Sequence, residues 1–245
     1  MDWLSDKLPL IIGHRGASAE APENTLAAFA LAVEQGADGV EFDVQLSADG
    51  NVVIMHDATV DRTTNGSGPV SRLTSSELRA LDAGMGQPVP TLDDVFEAFG
   101  PSMLYNIELK VSGLWGKGLE SAVADRIDAY HLHNQVVVSS FDPLSLRRAR
   151  RQLSATTMTG FLWMRGPRAL RNLLASTPAD HPYFPLVDEG YMAWARERSL
   201  RVHVWTVDDP QEARQLAVLG VHALITNRPR EIVAALAVDR PATEG

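Results

Sequence analysis

The 245-residue chain has no cysteine, which excludes disulfides, thiolate metal ligands and a cysteine nucleophile. No apolar run approaches the ~20 residues that a membrane-spanning helix needs. The first residues, MDWLSDKLPLIIGHRG, also lack the features of a secretory leader, because Asp2 and Asp6 come early and the apolar stretch Leu8–Ile12 is short. Basic side chains are in the minority. Against 31 Asp and Glu there are 22 Lys and Arg, and the resulting net charge of −9 argues against general binding to nucleic acid or anionic membranes. With 45% apolar and 22% charged residues the composition is that of an ordinary globular protein, so a disordered or fibrous chain is excluded too. These absences lead to the expectation of a cytoplasmic protein of one domain with no membrane span.

Short β-branched runs alternate with longer amphipathic stretches. Strands are predicted at Leu10–Gly13, Gly39–Leu46, Val52–His56, Met103–Lys110, Gln135–Ser140, Thr157–Trp163, Leu200–Val207 and His222–Thr226, with one more inside His181–Val187. Helices are predicted at Thr25–Gln35, capped by Asn24, and at Thr91–Phe99, Leu119–Tyr130, Leu144–Gln152, Arg168–Ala175, Gly190–Arg198, Pro210–Leu219 and Arg230–Ala237. This alternation implies parallel strands joined by right-handed crossovers. About eight such units in a chain of this length fit an α/β fold of the (β/α)8 TIM-barrel type, one domain over residues 1–245. Ala58–Pro90 breaks the rhythm. It contains Asn65-Gly66-Ser67-Gly68 and a predicted short helix at Ser75–Leu81, and reads as an insertion lying over one barrel end. Residues 239–245 read as a frayed tail.

Charge gathers where the strand runs end, which is where a barrel of this type carries its site. His14 and Arg15 follow the first strand. Glu41 and Asp43 stand two apart in the second and so share a face, as do Glu108 and Lys110; His56 closes the Val52–His56 run. Alone, each signal has a plain structural reading: a salt bridge for Glu41 and Asp43, a hydrogen-bonded structural histidine for His56, a barrel-lining ion pair for Glu108 and Lys110. Their recurrence at successive strand ends is what points to a site, because buried charges persist only when paired or bound to metal. Three carboxylates in one pocket repel, and an all-oxygen cluster suits a hard divalent cation, Mg2+ or Ca2+. With such an ion, Arg15 and Lys110 make the site net positive and receptive to phosphate. Two histidines add groups suited to general acid and base work. Phe141 and Trp205, at the ends of later strands, are possible pocket walls or plain core. The other histidines (His131, His133, His181, His203 and His222) lack carboxylate company and are read as surface or structural. Pro22–Thr25 reads as a helix entry.

The sequence resembles the glycerophosphodiester phosphodiesterases. The matching features run through the whole chain: HRG at His14–Gly16, PENT at Pro22–Thr25, EFDV at Glu41–Val44, HD at His56–Asp57 and DRTTNGSG at Asp61–Gly68. They continue with IELK at Ile107–Lys110, SSF at Ser139–Phe141, WTVD at Trp205–Asp208 and ITNRP at Ile225–Pro229. The resemblance implies a TIM barrel with a small subdomain inserted after the second strand region. It also implies divalent-cation-dependent hydrolysis of small-molecule glycerophosphodiesters, such as glycerophosphocholine or glycerophosphoethanolamine, to an alcohol and sn-glycerol 3-phosphate. By position, it makes His14 and His56 the acid/base pair, Glu41, Asp43 and Glu108 the metal ligands, and Arg15 and Lys110 the phosphate-binding residues. One departure is Asn227, where the family often has Asp. Which histidine is acid, whether water or the substrate 2-hydroxyl attacks, the alcohol headgroup and the oligomeric state stay open. Two alternatives accompany this reading. One is a lysophospholipase D, with Leu114, Trp115, Phe161, Trp163 and Met164 as an acyl channel; the other is a barrel that binds phosphodiesters without turnover.

Overall fold

In the strand Gly39–Leu46, Val40, Phe42 and Val44 alternate with Glu41 and Asp43, and the two sets meet different surroundings. The apolar set faces outward and packs with Phe29, Val95, Phe96 and Val123 from the surrounding helices. The period of two sends the charged set inward. A computed structural model of the protein describes residues 2–5, 9–111, 118–165 and 176–237. In chain order its strands are β1 (Leu10–His14), β2 (Gly39–Leu46), β3 (Val52–Ile54), β4 (Leu104–Leu109), β5 (Val136–Ser140), β6 (Met158–Trp163), β7 (Ala179–Pro182), β8 (Arg201–Val204) and β9 (Ala223–Thr226). The helices are α1 (Leu26–Glu34), α2 (Ser75–Arg79), α3 (Leu92–Phe99), α4 (Leu119–Ala129), α5 (Pro143–Ala149), α6 (Glu189–Arg196), α7 (Pro210–Leu219) and α8 (Pro229–Ala237). No helix among the described residues is long and apolar enough to cross a membrane.

The sheet order is β1-β9-β8-β7-β6-β5-β4-β2-β3, and β1 also pairs with β2. That extra pairing closes eight parallel strands into a (β/α)8 barrel. The ninth strand corrects the sequence reading. β3 pairs antiparallel with β2, Val44 opposite Ile54 and Leu46 opposite Val52, so Val52–His56 is a returning hairpin arm and not a barrel strand. Because the chain turns back, Met55 N donates to Asp43 O and the next residue, His56, arrives at the barrel rim. The insertion beyond it builds a core of its own from Val53, Met55, Val60, Val70, Leu78, Ala83 and Val89. Its predicted helix is shorter than expected, five residues opened by a capping box between Thr74 and Glu77.

Other differences are local. Thr25, not Asn24, caps α1: its hydroxyl accepts from Ala28 N, while Asn24 takes a left-handed φ of 60° and turns its side chain elsewhere. β7 lies at Ala179–Pro182, ahead of most of the predicted window, where residues 184–186 form a 3-10 turn instead. Its Asp-His-Pro composition hides it from hydropathy. Asp180 accepts a hydrogen bond from the Tyr191 hydroxyl, and His181 packs into space that a Cβ on Gly160 would fill, 2.3 Å from His181 Nε2. His133 does have a carboxylate neighbour, Asp128 at 3.5 Å. The predicted helix at 168–175 and the tail at 239–245 fall outside the described residues.

Inside the barrel, Leu10, Ile12, Leu104, Val137, Ala223 and Ile225 form one apolar cluster with Trp3, and Ile225 reaches the pocket. The C-terminal ends of the strands hold the charges. Between β2 and β4 the fit is close: a Cβ on Gly39 would lie 2.2 Å from the Leu104 carbonyl oxygen. Gly39→Ala must therefore push the two strands apart, and a loss of about 1–3 kcal/mol or more in denaturant unfolding is expected. Wild-type stability in that variant would show that the strand pair has slack.

Candidate active site

Parallel pairing sets the heights of the inward side chains. His14 lies opposite Glu41 across β1 and β2, Asp43 opposite Glu108 across β2 and β4, and Glu108 opposite Ser139 across β4 and β5. The three carboxylates are all buried, and each offers an oxygen within 4.8 Å of those of the other two. Two cations reach into this cluster. Lys110 Nζ lies 2.6 Å from Glu108 Oε1 and 3.1 Å from Asp43 Oδ1. Arg15 Nε lies 3.2 Å from Asp43 Oδ2, and its backbone N–H donates to Glu41 Oε2.

A pocket of about 250 Å3 opens above the triad. His14, Arg15, Glu41, His56, Glu108 and Lys110 line one side, and Phe141, Leu162, Met164 and Trp205 form an apolar side. Asp43, only 1% exposed, sits beneath the surface and meets the pocket through Arg15 and Lys110. Phe141 and Trp205 meet edge to face at 5.5 Å. Of the described residues expected to form an acyl channel, Met164 alone is placed here. Phe161 and Trp163 point outward into the core around Tyr191 and Val204, because one residue of shift along a strand reverses the face. Leu162, between them, faces the pocket. Leu114 and Trp115 lie outside the described residues.

Hydrogen bonds assign the imidazole tautomers. His14 Nδ1 is 2.7 Å from Asn227 Oδ1, whose own amide donates to Asp208 Oδ2, so the oxygen accepts and Nδ1 carries the proton. His56 Nδ1 is 2.6 Å from Asp57 Oδ1, a carboxylate that can only accept. Both rings therefore keep Nε2 for a ligand. Burial first, and then the charge of Arg15, lower the His14 pKa from its ordinary value. For His56 burial again dominates the lowering, against the raising influence of Asp43 and Asp57.

The family of glycerophosphoryl diester phosphodiesterases matches residues 14–231. A glycerophosphodiester phosphodiesterase of Caldanaerobacter subterraneus is 38% identical over 238 residues, 91% of this chain and 96% of the relative. The chain belongs to the glycerophosphoryl diester phosphodiesterase family. A Bacillus altitudinis glycerophosphodiester phosphodiesterase is 31% identical, with 91% of this chain and 96% of the relative covered. Among solved structures, an Oleispira antarctica phosphodiesterase in complex with the product sn-glycerol-3-phosphate superposes with a TM-score of 0.79 at 30% identity, covering 94% of this chain and 97% of that one.

In this family member several site residues were not singled out from the sequence as bearing on chemistry. Asn24 Nδ2 donates to Asp43 Oδ2 at 2.9 Å, and Glu23 accepts from Arg15 Nη1 at 2.8 Å. Both belong to PENT, whose cap-like order conceals a left-handed turn aimed at the site. Asn227 and Asp208, from ITNRP and WTVD, hold His14 from a distance of about two hundred positions in the chain that no local pattern reports.

The triad fits a divalent cation on its own chemistry. Burial, then the charge of Asp43, push the carboxyl groups of Glu41 and Glu108 up to about 8. Burial acts the same way on Asp43, but Lys110 and Arg15 outweigh it and hold that group low. Asp43 Oδ1 is buried without an aligned hydrogen bond. At neutral pH Glu41 and Glu108 thus retain protons that an ion must displace. Two outcomes follow for protein stripped of divalent ions. Calorimetry at pH 7 in buffers of differing ionisation enthalpy should show proton release on adding Mg2+ or Ca2+. Groups with raised folded pKa values stabilise fully below about 4.5 and lose that contribution through about 8, so the Tm should fall over that interval and the added ion should remove the fall. Binding with no proton release would remove the protonated triad from the account.

Proposed function

We propose that the protein hydrolyses small glycerophosphodiesters to an alcohol and sn-glycerol 3-phosphate, with His14 and His56 as the acid/base pair. The observation that carries this reading is the meeting, in one pocket, of two imidazoles with available Nε2 atoms, two cations and a buried carboxylate triad. A phosphate has two kinds of need there. Its non-bridging oxygens take charge from Arg15 and Lys110, which face the pocket from opposite sides of Asp43. Its nucleophile and leaving group need proton transfer. One imidazole, neutral and with a bare Nε2, accepts the proton of the attacking hydroxyl there. The other enters the cycle as an imidazolium, protonated at Nε2 as well as Nδ1, and gives the Nε2 proton to the departing alkoxide; proton exchange with solvent then restores both rings. Hard divalent ions such as Mg2+ or Ca2+, held by Glu41, Asp43 and Glu108, would supply further positive charge to the phosphate. The apolar wall of Leu162, Phe141 and Trp205 gives the carbon skeleton of the substrate a surface away from water.

His14→Ala and His56→Ala should each lower glycerophosphocholine turnover by about 10^2–10^4 in a folded protein. Near-normal turnover in either removes that ring from the chemistry. Exhaustive chelation should abolish activity and Mg2+ or Ca2+ restore it; full activity in the chelated protein would discard the ion. Release of sn-glycerol 3-phosphate from a panel of diesters tests the substrate class, and phosphate binding without turnover of any diester would mark a binding barrel.

A second reading, lysophospholipase D, is favoured by one observation: Phe141 and Met164, on the apolar side of the pocket, are 43% and 50% exposed, an open surface for an acyl chain. Under that reading lysophosphatidylcholine is cleaved faster than glycerophosphocholine, and the reverse order supports the first.

A further inference from the structure

Arg62, in the insertion, lines no part of the pocket, yet it grips both carboxylates that steady the pocket's His56 and Arg15. Its Nε donates to Asp57 Oδ2 at 2.6 Å, and its Nη1 and Nη2 donate to Glu23 Oε2 and Oε1 at 2.9 and 2.8 Å. The other oxygen of Asp57 meets His56 Nδ1 at 2.6 Å, and Glu23 Oε1 also accepts from Arg15 Nη1 at 2.8 Å. Every oxygen of the two carboxylates is thereby engaged. A continuous chain runs from His56 through Asp57, Arg62 and Glu23 to Arg15, and on to Asp43.

An exposed ion pair taken alone contributes little, and Arg62 is half exposed. This one differs in geometry. A guanidinium presents its donors as a rigid planar fork, and here three nitrogens satisfy two carboxylates at once, which a point charge cannot do. The backbone that carries the fork is held independently. Val60 is fully buried in the insertion's core, its N–H donates to Gly68 O, and Gly68 N donates back to Asp61 Oδ2. Thr64 N donates to Val60 O, closing a turn around Arg62. Among the described residues, losing Arg62 leaves the Asp57 carboxylate with His56 alone as a partner, free to swing into solvent, and leaves Glu23 with Arg15 alone.

We propose that Arg62 is a positioning residue: by bridging Asp57 and Glu23 it fixes the orientation of the His56 ring and of the Arg15 guanidinium, so that the insertion sets the geometry of the barrel mouth. The roles of His56 and Arg15 in turnover rest on the function proposed above, whereas the orientation of His56 does not. Small misplacements of a reacting group cost up to about 10^2 in rate.

The test compares Arg62→Gln, Arg62→Lys, Asp57→Asn and the Asp57→Asn/Arg62→Gln pair. Each is measured for kcat and KM on glycerophosphocholine, for Tm, and for the 15N chemical shifts of the His56 ring. Arg62→Gln should lower kcat about 10- to 100-fold with little change in Tm. The His56 signals should change from one Nδ1–H tautomer to a mixture. Arg62→Lys keeps the charge but not the fork, and should recover only part of the loss. Because the His56 branch runs through Asp57, adding Arg62→Gln to Asp57→Asn should cost less in kcat than Arg62→Gln costs alone, the remainder being the Glu23–Arg15 branch. Wild-type kcat and unaltered ring signals in Arg62→Gln overturn the proposal, as do multiplying losses in the double variant or full recovery in Arg62→Lys. Should Arg62→Gln fail to fold, the ring signals of Arg62→Lys decide by the same criterion. A wild-type protein that cleaves no diester, but whose His56 ring loosens on losing Arg62, would overturn the functional reading and leave the positioning role in place.

Discussion

Three carboxylates share one buried point at the mouth of this barrel, and much of the site follows from making that arrangement tolerable. Parallel register puts Asp43 beside Glu108, and the period of two puts Glu41 on the same inner face. Left alone, such a cluster would be protonated or pulled apart. Lys110 and Arg15 relieve it from two directions, and both also face the pocket. The cations that keep Asp43 ionised are therefore also the ones that line the pocket.

Around that centre the two histidines are held by unlike means. His14 ends a barrel strand and is fixed by Asn227, which the Asp208 carboxylate orients in turn. The acceptor that touches its ring is neutral. His56 comes from a hairpin arm beyond the barrel, and the acceptor on its ring, Asp57, is charged and tied to the insertion by Arg62. The pocket of this chain is thus assembled from two bodies with separate cores, the barrel and the segment packed on Val60, Val70 and Leu78. Polar contacts between them include those of Arg62 with Glu23 and Asp57, of Ser75 with Asp49 and of Arg79 with Asp94.

The inner face of β2 and β4 was readable because side-chain alternation along a strand is local and strict. So was the succession of strands and helices, including α7 at Pro210–Leu219, where proline at the helix start and Gly220 at its end leave little choice of boundary. The direction of Val52–His56 was not readable, since a strand's hydropathy pattern is the same in either sense and only pairing decides it. The same limit explains Phe161 and Trp163. A run that is apolar at every position, as Phe161, Leu162 and Trp163 are, offers no alternation from which to choose a face. Asn24 illustrates a third limit. Its residue type suits both a helix cap and a left-handed turn, and the competition went to the turn because Thr25 caps α1 while Asn24 reaches Asp43.

By itself, then, the sequence determined the repeating strand-and-helix order, the inward placement of Glu41, Asp43, Glu108 and Lys110 on their own strands, and a family resemblance spread along the whole chain. These depend on periodicities of a few residues and on motifs that survive being read one at a time. Tertiary structure alone decided that barrel closure brings β1 against β2, that His56 returns to the rim on an antiparallel arm, and that Arg62, Glu23, Asn227 and Asp208 stand behind the pocket. Those contacts join positions tens to hundreds of residues apart, and their geometry is set by how strands pair and loops pack, which no local pattern of amino acids encodes.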